Sequence, residues 1–169
     1  MTISMYSASV PAFTRMLQNL SRWLERAEAH AVEKKFDPVV LLGTRLAPDM
    51  LPFTRQVQIA CDGAKFCVAR LAGVEAPRHE DNEATVAELQ ARIASTLSFI
   101  ASVPADRIDG SEDRDITIPR RDGNTVMKGE AYLKHFAQPN LYFHVTTAYA
   151  LLRHNGVPLG KADYLGKES

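Results

Sequence analysis

Five histidines, His30, His79, His135, His144 and His154, and two cysteines, Cys61 and Cys67, are the side chains through which this sequence could do acid–base, nucleophilic or metal chemistry. No G-x-S-x-G, H-E-x-x-H or C-x-x-C spacing joins them. Gly156-Val157-Pro158-Leu159-Gly160-Lys161-Ala162 superficially resembles a phosphate loop, but it follows a helix and carries Ala162 where a hydroxyl should meet magnesium. His135 and His144 are nine residues apart, a turn of about 180° on a helix, so only one of them can face a core. Leu141, His144, Ala148 and Leu151 share one stripe, which points His144 inward, and Asn140 lies one turn earlier on nearly the same face. Two readings of this pair stand side by side: hydrogen bonds within the fold, or a ligand site. His30 and His79 fall near a helix end or in a loop, where solvated roles are expected. Tyr142, Phe143, Tyr149 and Tyr164 gather aromatic surface nearby, either as packing or as the wall of a pocket for an apolar ligand. Arg120-Arg121 beside Asp122-Gly123 reads as a solvated hairpin tip, with a dimer contact or an anion clamp as the alternative.

The elements that must position these groups follow from periodicity. Val10, Phe13, Leu17, Leu20, Leu24 and Ala27 are spaced 3, 4, 3, 4, 3, the stripe of an amphipathic helix with Pro11 near its start. Asp37 is placed to cap a short turn beginning at Pro38. Met50, Phe53, Val57, Ala60, Ala64, Cys67 and Leu71 repeat the pattern, with Pro48 and Pro52 at the start and Gly73 as a stop. Thr85 and Glu88 have capping-box spacing and open a third stripe of Val86, Leu89, Ile93, Leu97 and Ile100, which Pro104 ends. Residues 115–128 then alternate around Arg121-Asp122-Gly123-Asn124, a short β-hairpin inserted in a helical protein. A fourth helical region runs from about Gly129 to Asn155 with a kink or restart at Pro139, and the tail to Ser169 is expected to cross the bundle as a loop. The fold class is therefore all-α, a four-helix bundle with a β-hairpin between helices 3 and 4, in one domain over residues 1–169. Residues 72–84 span up to ~43 Å when extended, enough to return along the bundle, so the second and third helices can run parallel.

Composition excludes several classes. Twenty basic against twenty acidic residues give a formal net charge of zero, without the basic excess of a nucleic-acid footprint. No run approaches the ~18 apolar residues of a membrane span, and residues 1–15 lack a signal-peptide pattern. Cys61 and Cys67, six residues apart on one helix, face directions about 240° apart and cannot pair there. These features together predict a cytoplasmic protein in a reducing compartment.

The segment Pro139-Asn140-Leu141-Tyr142-Phe143-His144-Val145-Thr146-Thr147-Ala148-Tyr149-Ala150-Leu151-Leu152-Arg153-His154-Asn155-Gly156 resembles the last helix of the DinB-like superfamily. Arg45-Leu46-Ala47-Pro48-Asp49-Met50-Leu51-Pro52-Phe53 accompanies it, and together they are similar to a bacterial branch of unknown function. The similarity runs along nearly the whole chain, hairpin and Leu165-Gly166 included. It implies a four-helix bundle with a long crossover between helices 2 and 3, often a homodimer. It also implies a divalent metal, nickel or zinc, held by one histidine from helix 2 and a His-x-x-x-His pair on helix 4. Some such relatives are thiol-dependent transferases or isomerases using bacillithiol, mycothiol or glutathione. In this sequence His144 matches the second histidine of the pair and Asn140 the first, while Asp49 is nearest to the missing helix-2 ligand. The expectation is a degenerate metal site of Asp49, Asn140 and His144 beside a pocket of Tyr142, Phe143 and Tyr149. The protein is then a small-molecule-binding or catalytically degenerate bundle, with a divalent-metal-dependent, thiol-transferase-like enzyme as the alternative.

Overall fold

The computed structural model describes residues 3–120 and 122–166, the side chain of Arg120 excepted. In chain order the elements are α1 (Met5–Lys34), α2 (Val39–Leu42), α3 (Phe53–Ala72), α4 (Val86–Ser102), α5 (Ala105–Ile108), β1 (Asp115–Arg120) and β2 (Gly123–Lys128). They continue with α6 (Gly129–Tyr132), a π-helical turn (Leu133–Ala137), α7 (Gln138–His154) and α8 (Lys161–Leu165). The protein is mainly helical, with one small antiparallel hairpin between helices.

All six residues of the first stripe are buried in α1. The helix begins earlier than the stripe indicates, because Ser4 and Ser7 form a reciprocal capping box. Pro11 therefore lies inside α1, not in its first turn, with its ring on the exposed side. Asp37 caps α2 as expected, its carboxylate accepting the Val39 N–H at 2.9 Å. Extended Pro52 is the N-cap of α3, which leaves Met50 outside the helix, and the Phe53 N–H is satisfied by the Thr44 carbonyl at 2.9 Å. Gly73 ends α3 at φ +66°, a left-handed conformation in which a side chain would also crowd the Arg114 guanidinium. Thr85 and Glu88 form the capping box of α4.

Contacts fix helix direction. Arg92 of α4 reaches Gln58 and Asp62 of α3, and the crossover residues Asp81 and Glu83 lie beside Arg55 and Gln58. Residues 73–85 thus return to the start of α3, and α3 and α4 run parallel. His144 meets Gln56 whereas Asn140 approaches Gly63, so α7 runs antiparallel to α3. Phe13, Leu17, Leu20, Trp23, Phe53, Leu71, Leu89, Ile93, Leu141, Val145 and Leu151 fill the core between these long helices.

The fourth helical region follows one path, but its break precedes Pro139. Gln138 donates to the Leu133 carbonyl, five residues back, so the chain widens into a π turn immediately before the residue that has no N–H. The tail forms the one-turn helix α8 instead of a plain loop. Asn19 donates to the Tyr164 carbonyl at 2.7 Å and Trp23 Nε1 to the Asp163 carbonyl at 3.3 Å, while Arg26 pairs with Asp163 at 2.9 Å.

The hairpin pairs Asp115 with Lys128 through to Arg120 with Gly123, and Ile116 and Ile118 turn their side chains into the core. Arg121 and the side chain of Arg120, read as a solvated hairpin tip with a dimer contact or an anion clamp as the alternative, lie outside the described residues. At the base of the hairpin the Glu130 N–H bonds the Glu112 carbonyl at 2.9 Å, and a Cβ on Gly129 would collide with the Ser111 backbone carbonyl. Backbone cannot yield as a flexible side chain does. Gly129→Ala is expected to destabilise the protein by about 3 kcal/mol in urea unfolding; a loss under ~0.5 kcal/mol would mean that this junction is not tightly packed.

Candidate functional site

Three polar or small residues spaced seven apart, Gln56, Gly63 and Arg70, form a stripe on α3 that faces the α6–α7 path. Gln56 is 2% exposed and bonds His144, its Oε1 lying 2.7 Å from the ring Nδ1. Its amide nitrogen donates to the Leu51 carbonyl at 2.9 Å. That second bond orients the amide, so Oε1 faces the ring and Nδ1 must carry the proton. Burial holds His144 below its ordinary pKa of 6.5, which favours the neutral ring. Nε2 is then a lone-pair acceptor with no hydrogen-bond partner among the described residues. At the next position Asn140 packs over Gly63, where an added Cβ would sit 3.4 Å from its amide nitrogen. At the last, Arg70 donates to the Tyr132 hydroxyl at 3.0 Å.

The residues singled out from sequence are distributed unevenly around this stripe. His144 and Asn140 both face α3, yet they meet Gln56 and Gly63, not one another. Asp49 is exposed in the turn before α3, and its carboxylate joins no hydrogen bond or ion pair among the described residues. Tyr142 and Phe143 line a groove of about 420 Å³ with Leu46, Pro139, Thr146, Thr147 and Ala150. Phe143 is 55% exposed, and its ring meets the His144 ring edge-on at 5.2 Å. Burial raises the Tyr142 pKa, keeping its hydroxyl protonated. Tyr149 instead packs on Trp23 and Tyr164, with ring centroids 5.5 and 5.9 Å away. Cys61 and Cys67 are buried free thiols; burial pushes Cys61 up to about 12 and raises Cys67 as well, so neither is a ready nucleophile. Among the described residues no three of His, Cys, Asp and Glu are grouped to hold a metal ion.

Sequence reasoning missed a buried charge network on the other side of α3. The Arg92 side chain is 1% exposed and pairs with Asp62 at 2.9 Å, Asp81 at 2.7 Å and Glu83 at 2.9 Å. Arg55 bonds Asp81 at 2.8 Å and the Gln58 amide oxygen at 2.6 Å, and Gln58 donates onward to Glu83 at 2.7 Å. Lys65, 2% exposed, pairs with Asp62 at 2.9 Å and lies 3.2 Å from His79 Nδ1. His79 is therefore not a solvated loop histidine. An ammonium can only donate, so Nδ1 accepts and the proton sits on Nε2, 3.4 Å from the Ser95 hydroxyl. Burial, then Lys65 and Arg92, lowers the His79 pKa. Burial alone would raise Asp81 and Glu83, but hydrogen bonds from Arg55 and Arg92 to Asp81, and from Arg92 and Gln58 to Glu83, leave both below the usual carboxylate range.

Similarity to a solved structure identifies this helical protein as DinB-like. A crystal structure of a DinB family member protein from Shewanella denitrificans is 47% identical to it, with a TM-score of 0.91 over 96% of this chain and 92% of the other. Residues 5–165 match the family described as a domain of unknown function (DUF1993), and the chain belongs to that family. No curated protein matches it. Among the described residues no helix is long and apolar enough to cross a membrane.

The titrations set a pH profile. His79 and His144 have folded pKa values below 6.5, so on acidification the unfolded chain binds protons that the fold refuses. Their contribution is complete above about pH 6.5 and declines as pH falls from there toward the folded values. Asp81 and Glu83, lowered from 3.8 and 4.5, add a second decline at lower pH, as protonation reaches their folded values. Urea midpoints should fall between pH 7 and pH 5, and the paired His79→Gln and His144→Gln variant should flatten that step. A variant profile parallel to wild type would refute the assignment.

Proposed function

We propose that this protein is a one-domain, four-helix DinB-like bundle that binds a small molecule in the groove beside His144, without a resident metal. The observation that carries the reading is an apolar groove of about 420 Å³, walled by Leu46, Tyr142 and Phe143, in which the Phe143 ring also meets the neutral His144 imidazole edge-on. Such a volume suits a drug-sized or smaller ligand, with Tyr142, Thr146 and Thr147 as the polar groups on its wall. The donors named for a metal do not fit a three-histidine centre. They comprise one imidazole, a neutral amide turned to Gly63 and an exposed carboxylate with no contact to either. The family resemblance adds a homodimer to this reading, and the two free cysteines add a reducing, cytoplasmic compartment.

One observation favours the alternative, a nickel- or zinc-dependent enzyme using Asp49, Asn140 and His144. A ring Nδ1–H tied to an anchored carbonyl, with Nε2 bare, is also how ligating histidines are oriented. A thermal-shift screen of small molecules with and without EDTA, beside elemental analysis of protein grown with nickel and zinc, separates the two. The expected result is less than about 0.1 equivalent of metal and hits that persist in EDTA but weaken in His144→Gln. Near one equivalent of metal, lost in His144→Ala while the fold persists, would overturn the reading.

A further inference from the structure

We propose that a second cleft, between α3, the hairpin and the π turn, binds a small planar carboxylate that carries a hydrogen-bond donor at its far end. The cleft measures about 210 Å³ and shares no lining residue with the groove above, so either assignment can fail alone. An engineered cavity of about 150 Å³ accepts benzene, so this space suits one substituted ring.

Its walls are aromatic. Phe66 of α3 stands 38% exposed, and Tyr132 and Phe136 stack across the π turn with centroids 5.8 Å apart. Ile118 and Pro119 of β1 close the side, which gives the inserted hairpin a role. The π turn matters because its extra residue per turn shifts Phe136 and Asn140 relative to Tyr132, and such turns frequently accompany functional sites.

Polar groups sit at opposite ends. Arg70 lies 5.2 Å from the Phe66 ring and spends one N–H on the Tyr132 hydroxyl, and its other donors meet no acceptor among the described residues. A guanidinium fixed between two rings with donors to spare is suited to a carboxylate. Asp62 lies two turns earlier on α3, about 12 Å along the axis. Lys65 and Arg92 both bond Asp62 through Oδ1, leaving Oδ2 without a donor among the described residues. Asn140 is beside it over Gly63, its amide without a hydrogen bond there. Asp62 and Asn140 together would accept an amino or amide N–H, and the Asp62 charge would repel a second carboxylate.

The test uses 4-aminobenzoate, benzoate and 4-aminobenzamide as probes, titrated into the full-length protein and followed by NMR shifts of the Gly63 and Asn140 amides and the Arg70 side chain. In wild type, 4-aminobenzoate should bind about tenfold more tightly than 4-aminobenzamide, as a charge-assisted bond requires. Arg70→Gln should abolish that difference. Asn140→Leu, which leaves the Arg70 packing and Asp62 in place, should instead narrow the advantage of 4-aminobenzoate over benzoate. Equal affinity of the acid and the amide for wild type would overturn the proposal. So would shifts confined to Tyr142 and Phe143, or no cleft shift at millimolar probe.

Discussion

Arg92 is a guanidinium withdrawn almost wholly from water, and the arrangement of this protein depends on the carboxylates that meet it there. Burying an unpaired charge is prohibitive, so α4 can dock only where Asp62, Asp81 and Glu83 converge. Two of those acids belong to the crossover and one to α3, so a single side chain ties three segments together. Arg55 and Lys65 bring the cations to three against three acids, and the network is neutral as a whole. Replacing all of it by apolar groups could leave stability unchanged. What the charges supply is direction: they define a parallel α3–α4 pair, and with it the return of the chain.

The same helix carries the network on one face and the candidate sites on another. Arg55, Gln58, Asp62 and Lys65 turn toward the crossover and α4, whereas Gln56, Gly63 and Arg70 turn toward α7 and the hairpin. The rotation of α3 about its axis is thus fixed by ion pairs and expressed as side-chain placement at His144, Asn140 and Tyr132. Asp62 belongs to both faces, since Oδ1 serves the network and the residue also lines the cleft. The π turn does the matching on the opposite wall.

Much of the scaffold was legible in the sequence because helical periodicity and capping are local. The Thr85–Glu88 box, the Asp37 cap and the hairpin appear where those patterns place them, as do the stripes of α1, α3 and α4, except that α1 starts before its stripe and Met50 falls outside α3. Partners are not local. Arg92 sits on the edge of a stripe and looks like any solvated arginine until residues 81 and 83 fold back onto it, and His79 was misread for the same reason. Gln56 went unnoticed beside Asp49 because no pattern on α3 reveals which residue α7 will face, though the seven-residue spacing of Gln56, Gly63 and Arg70 was a usable signal. Inward placement of His144 followed from its stripe. Its tautomer did not, since that depends on the Leu51 carbonyl.

Native-state hydrogen exchange on an Arg92→Met variant addresses the central claim most directly. If the charge network fixes the crossover and the docking of α4, the hydrogen-bonded amides where the two meet, those of Ala84, Thr85, Glu88 and Leu89, should lose protection, while the amides of α1 keep theirs. Wild-type protection at all four of these amides would contradict the account, because α4 would then be held by its apolar stripe alone.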